Sequence, residues 1–224
     1  MEILSLNNEE QHIVLSEGEK RHIVLLNPLC ARLFVQQQSR SELSLHCLFL
    51  PESESVSSAD ISIMQDGKEC RTVMYGMALL CGKEQFSLET HVLHNIGGGY
   101  SEQTVKCLLA DSARGSFYGE LVIAKDAQKT EAHQTNRNIL LSPNARMDTK
   151  PQLEIYADDV KASHGATTGQ LDAAALFYMQ QRGIALQDAR RMLLHAFLSD
   201  VMNSVPADNV IAESFDRKFN SLSV

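Results

Sequence analysis

Between residues 31 and 123 the chain repeats strand-length apolar segments at intervals too short to hold a helix between them. No other feature restricts the fold as much. Strand-like segments fall at 31–36, 43–50, 61–64, 73–81, 86–93, 105–109 and 117–123, with two more at 138–141 and 153–156. The starts at 43, 61, 73, 86, 105 and 117 lie 18, 12, 13, 19 and 12 residues apart. Phe86, Leu88, Thr90 and Val92 alternate against Ser87, Glu89 and His91, as a strand with one buried face does. Polar turn material separates the segments: PESESVSS, QDGKE, CGKE, NIGGGYSE, DSARG and AKDAQKTEAH. Residues 1–23 are mixed and acidic and predict an opening strand or two, with a turn at Glu17-Gly18. The series is all-β. On its own it leaves a sandwich, a barrel and a parallel β-helix open.

The pattern changes after residue 153. Leu153, Ile155 and Ala157 oppose Glu154 and Tyr156, Asp158-Asp159 breaks the alternation, and Ser163–Gly169 predicts a turn of the chain. From Leu171 the period is helical, and three helices are expected at about 171–182, 186–203 and 207–219. Arg182-Gly183 suits a helix C-terminus, and Pro206 stops the second helix while being tolerated at the start of the third. The second helix carries Met192, Leu193, Leu194, Ala196, Phe197, Leu198, Val201 and Met202, more apolar surface than one core-facing stripe requires. Such a helix is either sandwiched between neighbours or keeps a face for a partner.

The 44% apolar and 21% charged fractions are those of an ordinary globular chain. A net charge of −8 without a basic run argues against nucleic acid or an anionic membrane as partner, and no apolar stretch approaches a membrane span. With Glu2, Glu9 and Glu10 crowding the N-terminus, the chain reads as cytosolic. Five cysteines without a tight pair argue against a disulfide framework or a zinc ribbon. Cys47, Cys81 and Cys107 alternate in phase with apolar neighbours and read as small buried hydrophobes.

Few groups suggest chemistry. His91 and His94, three apart on a strand, point to opposite faces and make a poor metal pair, so a surface role is expected for both. His133 and His195 have no partner by spacing. Gly97-Gly98-Gly99 lacks the Lys-Ser/Thr of a phosphate loop and reads as a flexible loop. Asp158-Asp159 is turn chemistry. Asn136, Asn138 and Asn144 fit tight turns. A histidine set in Ser-His-Gly, as His164 is, is by itself more often a hydrogen-bonded loop residue than a functional one.

The run KASHGATTGQLDAAALFYMQQRGI, with TKPQLEIYADDV just before it, closely resembles the SufB/SufD family of iron–sulfur cluster assembly proteins, SufD more than SufB. The motif is long and ungapped. The resemblance is clear from about Phe117 to the C-terminus and weaker back to about Val24. It implies a flattened right-handed parallel β-helix over residues 1–166 and a helical segment over 167–224; the exposed N-terminal end of the β-helix is expected to be capped by residues 1–25 or by a partner. Family members have a longer β-helix behind an N-terminal helical region, and this chain is expected to be a short form.

The function implied is that of a non-enzymatic scaffold subunit in a SufBCD-type complex. The β-helix would pair with a SufB-like chain or a second copy of itself. A SufC-like ATPase, which holds the ATP site, would dock on the C-terminal helices through Met192, Leu193, Phe197, Leu198 and Val201. His164 matches the motif histidine that faces SufB, where an iron–sulfur cluster is built transiently and imidazole is a suitable iron ligand. No stably bound cofactor is expected in this chain alone. SufD proteins commonly carry Cys two residues before that histidine. Here the position is Ala162, so no thiolate comes from it. Two other readings stand beside this one: a β-helix enzyme acting on carbohydrate or acyl groups, for which no carboxylate cluster is found, and a degenerate SufD paralogue with a purely structural role.

Overall fold

A computed structural model describes residues 2–4 and 6–222. Its strands are β1 (Glu2–Leu4), β2 (Glu10–Leu15), β3 (Lys20–Leu26), β4 (Ala31–Gln37), β5 (Glu42–Phe49), β6 (Val56–Gln65), β7 (Arg71–Leu80), β8 (Gln85–His94), β9 (Tyr100–Leu109), β10 (Arg114–Ile123), β11 (Glu131–Leu140), β12 (Arg146–Ile155) and β13 (Lys161–Gly169). Helices α1 (Ala173–Gln181), α2 (Leu186–Ser204) and α3 (Asn209–Ser221) follow. Odd strands form one sheet in the order β1-β3-β5-β7-β9-β11-β13, and even strands form the other in the order β12-β10-β8-β6-β4-β2. Every pairing between these strands is parallel. The chain therefore coils as a flattened parallel β-helix, and the sandwich and barrel are excluded.

The coils stack nearly residue on residue. Leu45, Met74, Gln103, Gln134 and His164 occupy one column, at steps of 29, 29, 31 and 30 residues. Inside lie Leu15, Leu25, Leu33, Leu45, Phe49, Ile61, Ile63, Leu88 and Phe117, all essentially without solvent contact. The even strands keep one face in water, so β6, β8 and β10 alternate cleanly. The odd sheet is covered outside as well. Val24, Leu48, Leu50, Met77, Leu79 and Leu108 pack against Leu194, Leu198 and Val201 of α2 and Ile211, Phe215 and Phe219 of α3. Burial on both faces is why those strands end in unbroken apolar runs such as Met77–Leu80.

Several local expectations are corrected. Ser163–Gly169 lies in strand β13, not in a turn. Its inner face sits over β11 and is tied there by Asn138 Nδ2, which donates to Thr168 Oγ1 at 3.2 Å and Thr167 O at 3.3 Å. Asn136 and Asn138 are accordingly buried strand residues, bonded amide to amide, and not turn residues. The Gly97-Gly98-Gly99 segment is a tight stacked turn. Gly98, at φ +79°, donates its N–H to Gln128 O at 2.9 Å, and a Cβ on Gly97 would lie 2.4 Å from that oxygen. The N-terminal residues that are described form β1 and β2 in register with the next coil, so they extend the β-helix.

Candidate functional site

Two inward columns change character as they climb to the last coil: Leu45, Met74, Gln103, Gln134, His164 and Phe49, Ala78, Cys107, Asn138, Thr168. They are apolar at the lower coils and amide-bearing at the upper ones, whereas the column Leu15, Gln37, Gln65, His94, Ile123 is polar in the middle coils. His133 Nδ1 bonds Ser163 Oγ at 2.8 Å on the outer face, which fixes the phase of β13: His164, its neighbour in sequence, lies on the lumen side above Gln134. His164 is exposed, and among the described residues no further coil covers it. Ala162 is half-buried in the same line, over Ala132.

Both strands of this coil are sheet edges, but they are built differently. β12 carries Asp148, Lys150, Pro151 and Glu154, the charges and proline that discourage pairing at an open edge. From Ala162 to Gly169 β13 has no charged residue and no proline. Its outward edge has no strand beside it among the described residues. One edge is guarded and the other is open.

The helices do not present all the side chains expected of a docking face. Leu198 and Val201 are fully buried against the odd sheet, and Phe197 is half-buried with Lys106 Nζ 4.9 Å above its ring. Leu193 is half-buried, while Met192 is 54% exposed. Further exposed apolar surface lies on α1, which buries no residue: Phe177 is 63% and Tyr178 58% exposed. An Asp172 cap starts α1 by accepting the N–H groups of Ala174 and Ala175. Gly183, at φ +82°, follows its end.

Three polar ties moor the helices to the β-helix. Lys106 Nζ donates to Asp200 Oδ1 at 2.7 Å and to Phe197 O at 2.6 Å. Lys218 Nζ lies 2.5 Å from Glu84 Oε1, both side chains 5% exposed. Ser204 Oγ donates to Val201 O and so accepts from His46 Nε2, whose Nδ1 accepts from His22 Nε2 at 3.0 Å. Burial, aided by the charge of His22, pulls the His46 pKa down to about 4.

The remaining sequence candidates are placed as follows. His91 is partly exposed between Glu120 and Asp60, whereas His94 is buried, not at the surface, with Nε2 on Ser101 Oγ at 2.8 Å. Its Nδ1 has no partner among the described residues, and burial lowers its pKa to about 4. Cys47 and Cys107 are buried hydrophobes whose thiols burial pushes far up. Cys81 is only half-buried, with Lys218 Nζ 3.4 Å from its sulfur. His195 lies exposed on α2, edge-on to Phe215 and Phe219. Gln134, Asn136 and Asn138, which line the open lumen, were not singled out as site residues. Their signal is positional: polar residues at inward phase in a strand.

Residues 30–197 match the family model described as SUF system FeS cluster assembly, SufBD core domain. The iron–sulfur cluster assembly protein SufD of Escherichia coli is 39% identical over 144 residues, covering 64% of this chain and 34% of that protein. A SufBD family protein of Synechocystis is 35% identical over 151 residues, 67% of this chain and 33% of its own length. The chloroplastic protein ABCI7 of Arabidopsis thaliana is 34% identical over 174 residues, 77% and 36% of the two chains. The chain spans about a third of the length of these relatives.

Proposed function

The chain belongs to the SufBD core-domain family of the SUF system, and from that premise we propose that it is a non-enzymatic scaffold subunit in iron–sulfur cluster assembly. The observation that carries the reading is the asymmetry of the last coil. An edge strand without proline, and without a charged residue from Ala162 to Gly169, lies beside the lumen, with His164 on its inner face. Such an edge is suited to strand addition by a SufB-like chain, or by a second copy of this one, and burial of that edge would enclose His164 at the join. Iron and sulfide are the cargo. The imidazole would supply one iron ligand; the family resemblance implies that companion ligands, including a cysteine and a glutamate, come from the partner, and Ala162 adds no thiolate from this chain.

A SufC-like ATPase would dock on the exposed apolar surface of α1 with Met192, and not on Leu198 and Val201, which already hold the fold together. Its ATP-driven association would strain the paired β-helices and open the join.

The test is co-purification of the tagged chain, wild type against His164→Ala, with partners identified and iron measured. A SufB-like and a SufC-like chain in both preparations, with iron lost on substitution, is the expected result. Both partners with iron unchanged would overturn the role of His164, and the absence of both partners would overturn the scaffold reading.

A further inference from the structure

The column beneath His164 contains a hydrogen-bonding group with no partner. Gln134, one coil down in register, is 2% exposed. Its Nε2 donates to Gln103 Oε1 at 3.5 Å, and that oxygen also accepts from Thr90 Oγ1 at 2.9 Å. The amide is confined from the facing strand: a Cβ on Gly119 would stand 2.3 Å from Gln134 Nε2, so only glycine leaves it this room. The nitrogen is engaged with Gln103 one coil below, which leaves the oxygen as the free part of the amide. Among the described residues Gln134 Oε1 has no hydrogen-bond partner. Buried acceptors left unpaired are uncommon in folded proteins, and this one belongs to the residue in register one coil below His164.

We propose that Gln134 is the positioning residue for His164. One imidazole N–H donates to Gln134 Oε1 when the ring turns over the lumen. That bond fixes the tautomer and leaves the other nitrogen, with its lone pair, facing the join. A histidine that binds a metal through one nitrogen commonly gives its other N–H to such an oxygen, which sets both ring orientation and basicity. Gln134 does not touch the cargo. It acts through His164, so the inference rests on the reading of His164 given above.

The test reads the ring itself. Histidine-selective 15N labelling of the iron-free full chain, at a pH where the imidazole is neutral, reports the His164 tautomer, with His164→Ala identifying the signal. One tautomer should dominate in the wild type. Gln134→Met, of similar volume and without the acceptor, should relax it toward a mixture, and Gln134→Glu, which keeps an oxygen there, should restore a single form. In the assembled complex Gln134→Met should weaken iron retention about ten-fold or more. Equal tautomer ratios in wild type and Gln134→Met would overturn the proposal. Failure of the His164 reading is recognised separately, by iron that survives His164→Ala, since the tautomer is measured without iron or partner.

Discussion

Acid should weaken this fold through its buried histidines. His94 is enclosed, with one nitrogen on Ser101 and the other unpaired, and burial lowers its pKa from 6.5 to about 4. The unfolded chain therefore takes up its proton first as pH falls. The contribution of His94 is intact above about pH 6.5, is lost as pH drops toward about 4, and changes no further below that. Its size is on the order of 3 kcal/mol. Urea unfolding across that range should show stability falling toward acid, with a shallower slope in His94→Gln. An unchanged slope would contradict the assignment. Little of this was legible beforehand, because His91-x-x-His94 shows only that the two histidines face opposite ways. Which face is inside depends on the neighbouring coil. The same holds for Asn136 and Asn138: turn-forming side chains sit mid-strand because β13 above and Val105 below satisfy their amides.

Among the elements, the position of every middle-coil strand was legible, and the bounds of β4, β5, β7 and β8 to within two residues. Alternation or an unbroken apolar run marked each one, but only the apolar part of β6 and β9 was read, 61–64 and 105–109, since their polar first halves carry no pattern. The three helices were legible from their period and from Gly183 and Pro206. β13 was not, since Ser-His-Gly-Ala-Thr-Thr-Gly has the composition of a turn and is extended only because β11 lies beneath it. The broad apolar surface of α2 proved to be sandwiched along Leu194, Leu198 and Val201. The helical segment is held at its far end by the enclosed Lys218–Glu84 pair. Lys218→Ala leaves Glu84 charged and enclosed, so it should cost about 3–5 kcal/mol in urea unfolding. A loss under about 1 kcal/mol, the scale of an exposed pair, would show that the seam is open to water. Docking surface and support also separate by substitution. Phe177→Asp and Met192→Asp should leave the melting temperature nearly unchanged and weaken ATPase-subunit binding, whereas Leu198→Asp should unfold the segment. Normal binding by both surface variants would place the dock elsewhere.

For the molecule as a whole, strand spacing reached only the all-β class, because a sandwich and a β-helix both bury alternating strands. The distinction lies in pairing partners some 30 residues apart, which no local pattern records, and the family motif supplied it. What the coordinates add is direction. Two inward columns turn from apolar to amide-bearing toward the last coil, and there one edge is guarded by Pro151 and charges while the other is free of both from Ala162 on. Pairing across that bare edge is the central claim. Amide hydrogen exchange of the full chain, free and with a SufB-like partner, tests it most directly. The claim predicts new protection concentrated in β13, Lys161–Gly169, with less along β12 and none at β1 and β2. Protection at β1 and β2 with β13 still exchanging freely would contradict it.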